Sequence, residues 1–216
     1  MARLKAGVLI SGRGSNLQAL IDACAVPGFP AEIALVIANK ADAYGLQRAQ
    51  QANIPSAVIS HRDYPDKQRF EQAIDAAFRD AGVGLVCLAG FMRLLSPWFV
   101  DRWYDRLINI HPSLLPAFKG LDTHARALAA GVRIAGCTVH LVRSAVDEGP
   151  IIAQAAVPVL PGDDETALAA RILESEHRLY PLALRLFAED RLQVVEGRVE
   201  IRGMIAAGPA LINPPA

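Results

Sequence analysis

Four short runs built almost wholly of apolar residues, separated by stretches of helical periodicity, constrain the fold of this chain more than any other feature. They are residues 6–10 (Ala-Gly-Val-Leu-Ile), 33–38 (Ile-Ala-Leu-Val-Ile-Ala), 56–59 (Ser-Ala-Val-Ile) and 83–88 (Val-Gly-Leu-Val-Cys-Leu). Each is too short for a helix, and none alternates polar with apolar as a half-exposed strand does. Strands of this kind are covered on both faces, which is the habit of parallel sheets. The intervening segments supply the cover. Leu17, Leu20, Ile21 and Cys24 fall at i, i+3, i+4 and i+7, with Ser15 or Asn16 as the expected cap. Residues 44–53 read as a short helix, and Asp66 to Ala81 as a stronger one with Phe70, Ile74 and Phe78 four apart. Ser96-Pro97 is a cap and first-turn pair for another short helix. The expected fold class is α/β: a mostly parallel twisted sheet with helices on both faces. Such sheets bind ligands beyond the carboxyl ends of their strands, here the segments after Ile10, Ala38, Leu88 and Ile110.

The second half reads differently. Residues 136–142 (Gly-Cys-Thr-Val-His-Leu-Val) and parts of 151–159 alternate with period two, which predicts antiparallel additions on a more exposed part of the sheet. A long helix is expected from about Thr166 to Ala188, a hairpin from Leu192 to Ile201 around Glu196-Gly197, and an irregular Gly/Pro/Ala-rich stretch over 203–216. Residues 1–191 are expected to form a single domain, with 192–216 as a hairpin and irregular tail packed on it.

Charge and composition narrow the classes of function. Lys+Arg and Asp+Glu number 22 each among 216 residues, so the excess of cations that nonspecific nucleic-acid binding needs is missing, while a local basic pocket for one phosphate is allowed. No apolar run approaches the roughly 20 residues of a bilayer span, and the apolar start of the chain stops at Gly12, too short for a signal peptide. Cys24, Cys87 and Cys137 are scattered among apolar or small neighbours, which reads as core residues in a reducing compartment. The expectation is a cytoplasmic protein with small-molecule substrates, no nucleic-acid or membrane partner, and a monomer or weak homodimer.

Three segments carry chemistry. Ser11-Gly12-Arg13-Gly14-Ser15-Asn16 joins the first strand to the first helix. Two glycines permit a sharp turn and close backbone approach, and the N–H groups of a helix start favour an anion. Leu17 stands where the dinucleotide fingerprint has its third glycine, and no Gly-Lys-Ser/Thr follows, so a monophosphate fits better than a dinucleotide or triphosphate; a ligand-free turn is the other reading. In Leu107-Ile-Asn-Ile-His-Pro-Ser-Leu-Leu-Pro116, Asn109 and His111 share one face of an extended strand. The two can stabilise a carbonyl oxygen gaining negative charge, and the histidine can move a proton near neutral pH; a hydrogen-bonded structural pair at a strand end is the alternative. Asp147-Glu148-Gly149-Pro150 is either an acidic turn or a carboxylate brought to His111, and spacing does not decide between them. His140 is placed in a strand and His124 in a loop, and no His or Cys pair has metal-ligand spacing, so no metal is expected.

These segments together resemble the phosphoribosylglycinamide formyltransferases of purine biosynthesis. The resemblance runs to about Arg191 and rests on Val8 to Gln18, Asn39-Lys40-Ala41-Asp42-Ala43, Leu88-Ala89-Gly90-Phe91-Met92-Arg93, Asn109 to Pro116, Gly120-Leu121, Thr123-His124, Asp147 and Glu176-His177. It implies a Rossmann-like formyltransferase fold and transfer of the formyl group of 10-formyltetrahydrofolate to the amine of the glycinamide ribonucleotide. The folate is a co-substrate, with no tightly bound cofactor. Asn109, His111 and Asp147 match the catalytic trio. Arg13, Gly14, Ser15, Asn16, Lys67 and Glu176 match the ribonucleotide and phosphate contacts, with lysine at 67 where the family often has the bidentate arginine. Met92, Arg93, Leu94, Leu95, Asn109, His140, Arg143 and Val146 match the folate pocket. Asp122 stands where many relatives carry a second loop histidine. The nearest alternative is hydrolysis of the same formyl folate. The phosphate loop argues against it, as does the expectation of no regulatory domain before a first strand that begins by about residue 6. A tRNA-directed transferase, a noncatalytic binding module and a nicotinamide oxidoreductase fit progressively less well.

Overall fold

A computed structural model describes residues 2–203 together with Leu211 and Asn213. Most of the 203–216 stretch therefore lies outside the described residues. Seven strands form one sheet in the order β3-β2-β1-β4-β5-β6-β7, and two more form a separate antiparallel pair. The chain resolves into two compact units, Met1–Asn109 with Leu141–Ser144, and Ile110–His140 with Ala145–Ala216.

The first unit contains β1 (Leu4–Ile10), α1 (Ser15–Ala25), β2 (Ala31–Ala38), α2 (Gly45–Gln51), β3 (Ser56–Val58), α3 (Lys67–Asp80), β4 (Leu85–Leu88), α4 (Pro97–Arg102) and most of β5 (Leu107–His111). A single 3₁₀ turn, His61–Asp63, precedes α3. All four strand pairs in this unit are parallel. From β1 the chain builds outward through β2 to β3, then returns to add β4 on the other side of β1. With right-handed crossovers this reversal puts α1 and α2 on one face and α3 on the other. The switch point lies between β1 and β4, where open α/β sheets hold their ligands.

The core of this unit explains why those segments form those elements. Phe70, Ile74 and Phe78 of α3 pack with Leu9, Ile37, Val86, Leu88, Phe99 and Trp103 in one buried cluster. Gly7 makes room for it: a Cβ there would lie 2.5 Å from the Phe78 ring. Phe78 also meets Trp103 edge-on at 6.0 Å between ring centroids. Ser96 caps α4 ahead of Pro97, as the sequence predicts, and Asp66 caps α3, accepting from Arg69 N–H at 2.7 Å.

The start of α1 corrects the sequence reading. Neither Ser15 nor Asn16 caps it. Gly14 is the N-cap, in the left-handed region at φ 67°, and no side chain closes the first turn. The reason is packing. A Cβ at Gly14 would lie 2.7 Å from Gly45 Cα. Only glycine permits both that backbone angle and that approach, which pushes Ser15 and Asn16 inside the helix.

The second unit contains α5 (Thr123–Ala129), β6 (Ile134–Leu141), β7 (Ile151–Pro158), α6 (Glu165–Ala188) and the hairpin β8 (Leu192–Val195) and β9 (Arg198–Ile201). β6 and β7 are antiparallel, as expected. Along α6, Leu168, Ile172, Glu176, Leu179, Tyr180 and Ala183 are buried at helical spacing, and the helix packs on β7 and α5. Asp164 caps it through Ala167 N–H at 2.8 Å. Two expectations fail in this unit. β6 is buried over seven of its eight residues, not exposed, because its polar side chains are bonded inside. His124 lies on α5, not in a loop.

Candidate active site

In the first unit, the glycine loop and the loop after β4 meet at the switch point. Ser11, almost fully buried, accepts from Met92 N–H through its hydroxyl at 2.9 Å, and Ser11 N–H donates to Gly90 O at 3.2 Å. Gly45 N–H donates to Gly12 O at 3.1 Å, and Arg48 reaches Arg13 O through Nε at 2.9 Å. The loop is thus held from the side of α2 as well. Gly14 and Asn16 are buried, Ser15 is half-buried and Arg13 exposed. Lys67 sits in the first turn of α3 with its side chain 46% exposed, near enough to solvent to meet an anion.

The loop 92–95 splits its side chains by size and polarity. Met92 and Leu94 are 71% and 69% exposed, an unusual position for large apolar groups unless a ligand covers them. Leu95 packs against the core cluster. The Arg93 guanidinium lies 5.8 Å from the Phe70 ring centroid. Asn109 is half-buried on β5, in register with Leu88 of β4.

The Arg143 side chain is bonded within its own unit. Its Nη2 bonds Asp105 Oδ1 at 2.5 Å, its Nη1 donates to Val142 O at 3.0 Å, and its guanidinium stacks 4.0 Å from the Tyr104 ring centroid. The side chain is committed to holding its own segment, which Val142 N–H also ties to Leu107 O at 2.8 Å.

The second unit assembles a carboxylate between two imidazoles. Asp147 Oδ2 lies 3.4 Å from His111 Nδ1, and Oδ1 lies 3.7 Å from His140 Nε2. Gly120 N–H donates to Oδ2 at 2.8 Å and fixes the carboxylate. His111 Nε2 faces the Phe118 carbonyl at 3.1 Å. A carbonyl only accepts, so Nε2 carries a proton there. Asp147 itself has φ 54°, the left-handed conformation that asparagine and aspartate tolerate better than bulkier residues. Val146, beside it, is 47% exposed.

A buried lattice of bonds holds the His111 strand end. Thr138 Oγ1 accepts from Leu115 N–H at 3.0 Å and donates to Ser113 O at 2.7 Å, and Gln154 Nε2 reaches Leu115 O at 2.9 Å. Ser113 Oγ closes the turn on Ala117 O at 2.7 Å. The pairing of His140 with Asp147 was not foreseen from the sequence. The signal available was positional: Thr138 and His140 share a strand face and are both polar.

Other reactive groups fall out of contention. Burial pushes the Cys24 thiol up to about 11 and, with help from the Glu176 charge, the Cys137 thiol up to about 12, so both stay protonated and inert. Burial lowers the His124 pKa first, with Glu165 opposing and His111 adding to the effect. Glu176 is buried on α6. Among the described residues no group of three or more His, Cys, Asp or Glu is arranged to hold a metal ion, and no helix is long and apolar enough to cross a membrane.

The first unit is a doubly wound α/β structure with a glycine loop at its switch point, and the second carries a centre suited to moving protons. That combination defines an α/β enzyme acting on small molecules. Residues 4–184 match the formyl transferase family, and the chain belongs to it. It is 45% identical to the phosphoribosylglycinamide formyltransferase of Haemophilus influenzae, over 92% of this chain and 94% of that protein. It is 50% identical to the trifunctional purine biosynthetic protein adenosine-3 of Gallus gallus over 90% of this chain, but spans only 19% of that protein's length. The crystal structure of glycinamide ribonucleotide transformylase 1 from Symbiobacterium toebii superposes with a TM-score of 0.90 at 51% identity, covering 92% of this chain and 94% of that one.

Proposed function

We propose that this protein transfers the formyl group of 10-formyltetrahydrofolate to the amine of N1-(5-phosphoribosyl)glycinamide, a step of purine biosynthesis. The geometric observation that carries the chemistry is the Asp147 carboxylate, held by Gly120 N–H between His111 and His140. The choice of substrates rests on similarity over more than nine-tenths of both chains to proteins named for this reaction. Hydrolysis of the formyl folate is not favoured by that similarity.

The substrate amine resembles an α-amino group with a pKa of about 8, so a useful fraction is already neutral near pH 7. The protein has no strong nucleophile to generate. Its tasks are placement, oxyanion stabilisation and proton removal. The amine nitrogen attacks the formyl carbon, and the carbonyl electrons move to oxygen. Asn109 and His111, two residues apart on β5, donate to that oxyanion, His111 by turning the Nε2 proton from the Phe118 carbonyl to the substrate oxygen; one such donor is worth about 2.7–4 kcal/mol. Collapse breaks the bond from carbon to the folate nitrogen. Asp147 takes part in passing a proton from the attacking nitrogen to the departing one, and positioned proton transfer contributes about two to four decades in rate. His140 orients Asp147. Gly14, Ser15 and Asn16 receive the phosphate on the start of α1, with Arg13 and Lys67 supplying charge and Glu176 contacting the nucleotide. Met92, Leu94, Leu95 and Val146 give the folate an apolar wall, with Arg93 and the backbone around Arg143 beside it. Loss of formyl from the folate that requires the ribonucleotide supports transfer. Loss without it refutes transfer in favour of hydrolysis, and no loss refutes both.

A further inference from the structure

We infer that Glu71 is a positioning residue for both substrates, one carboxylate holding the Lys67 ammonium and the backbone at Ser96. The inference rests on the proposed function: Lys67 as a phosphate contact and residues 92–95 as a folate wall.

Glu71 lies in the second turn of α3 with a side chain that has no solvent exposure. A carboxylate buried in this way is costly unless donors satisfy its oxygens. The donors come from Ser96, the α4 cap that directly follows loop 92–95. Ser96 N–H donates to Oε1 at 2.8 Å, and the Ser96 hydroxyl donates to Oε2. The same hydroxyl accepts from Phe99 N–H at 3.3 Å, as the cap of α4. Ser96 alone is enough to start that helix, so the cap does not explain the carboxylate. Its second partner does more. Lys67 Nζ, one turn earlier on the same helix, lies 4.0 Å from Oε1 and half in solvent. Between the two, Phe70 presents its ring to the Arg93 guanidinium. One turn of α3 therefore governs the placement of the phosphate cation, of Arg93 and of the end of loop 92–96.

The two functions separate by substitution. In Glu71→Gln an amide oxygen still accepts from Ser96 N–H, while the charge that holds Lys67 is gone. In Glu71→Ala both are lost. Steady-state KM for glycinamide ribonucleotide and for formyl folate, kcat and Tm are measured for these variants, for Lys67→Ala and for the Lys67→Ala/Glu71→Gln double variant. Glu71→Gln is expected to raise the ribonucleotide KM about two- to fivefold, the range of a half-exposed ion pair, with formyl folate KM unchanged. Glu71→Ala is expected to raise both. In the double variant, Glu71→Gln is expected to add nothing to the ribonucleotide KM beyond Lys67→Ala. A lowered Tm with both KM values at wild type makes Glu71 merely structural and overturns the inference. So does an additive double variant. If Lys67→Ala leaves the ribonucleotide KM unchanged, the assignment of Lys67 fails first and the inference falls with it. Should Glu71→Ala not fold, Glu71→Gln and the double variant decide the Lys67 half, and Ser96→Ala, which removes the hydroxyl from Glu71 and is expected to raise the formyl folate KM alone, decides the other; a formyl folate KM at wild type in Ser96→Ala overturns it.

Discussion

Replacing Asp147 with asparagine removes one negative charge and almost nothing else. The amide oxygen can still accept from Gly120 N–H, which now lies 2.8 Å from Oδ2, so the loop keeps its anchor. What changes is the field on the two imidazoles. Asp147 and His111 have side chains 10% and 8% exposed, so solvent screens their interaction little. Positioned proton transfer supplies about two to four decades in rate, and Asp147→Asn takes away the carboxylate that stands 3.4 Å from His111 Nδ1 to take part in it. Asp147→Asn is therefore expected to lose about a thousandfold in kcat, with formyl folate affinity and Tm close to wild type. Formyl transfer is followed in the presence of both substrates, and folate binding by equilibrium titration. A variant that keeps more than a tenth of wild-type turnover would refute the electrostatic role. One that loses folate binding in proportion to turnover would refute the separation of chemistry from binding.

Asn109→Ala and His111→Ala are each expected to lose about two decades or more in turnover while folate binding is largely kept; normal turnover in either removes that residue from the oxyanion site. Gly7→Ala drives a methyl to 2.5 Å from the Phe78 ring, a ring already set against Trp103, and is expected to destabilise by about 1–3 kcal/mol. A urea denaturation midpoint equal to wild type would show the core is more compliant than its packing indicates. Asp163 is paired with Arg171 through both oxygens, at 2.7 and 2.9 Å. Those bonds, then the Leu160 N–H, pull its pKa from 3.8 down to about 2. A folded-state value below the unfolded one contributes stability above the unfolded pKa, and that contribution is lost as pH falls through the folded one. The Tm deficit of Asp163→Asn should thus be constant above about pH 4 and shrink towards pH 2; a deficit independent of pH counts against the pair.

Where most of a strand is buried, its apolar run locates the element. The β1, β2 and β4 runs needed no partner to be recognised, because a strand covered on both faces has little choice of composition. The Phe70, Ile74, Phe78 stripe likewise pointed to one buried face of α3. The failures share a cause, which is contact between residues distant in sequence. Local chemistry favours Ser15 or Asn16 as the cap of α1, but the approach of Gly45 to Gly14 decides it. Alternation over residues 136–142 predicts a more exposed part of the sheet, yet Thr138 and His140 lie inside. They are buried because Ser113, Leu115 and Gln154 satisfy one and Asp147 pairs with the other. The turn at Asp147 carries no sign of the 3.4 Å approach to His111, since 35 residues, with α5 and β6 among them, lie between the two. The helix holding His124 is seven residues long with only Thr123 and Ala127 buried, too short to show a periodic stripe.

The start of α1 carries one more consequence. A helix ordinarily closes its first amides on the side chain of its own N-cap, and Gly14 has none to offer. Under the proposed function the substrate's phosphate takes that place, so the ligand finishes a piece of secondary structure that the chain leaves open. Occupancy and durability then become linked. With ligand at a hundredfold excess over Kd, the folded state gains about 2.7 kcal/mol from binding. An enzyme supplied with its ribonucleotide would outlast the same enzyme starved of it, because unfolding and the proteolysis that follows would compete with substrate for the same turn of helix.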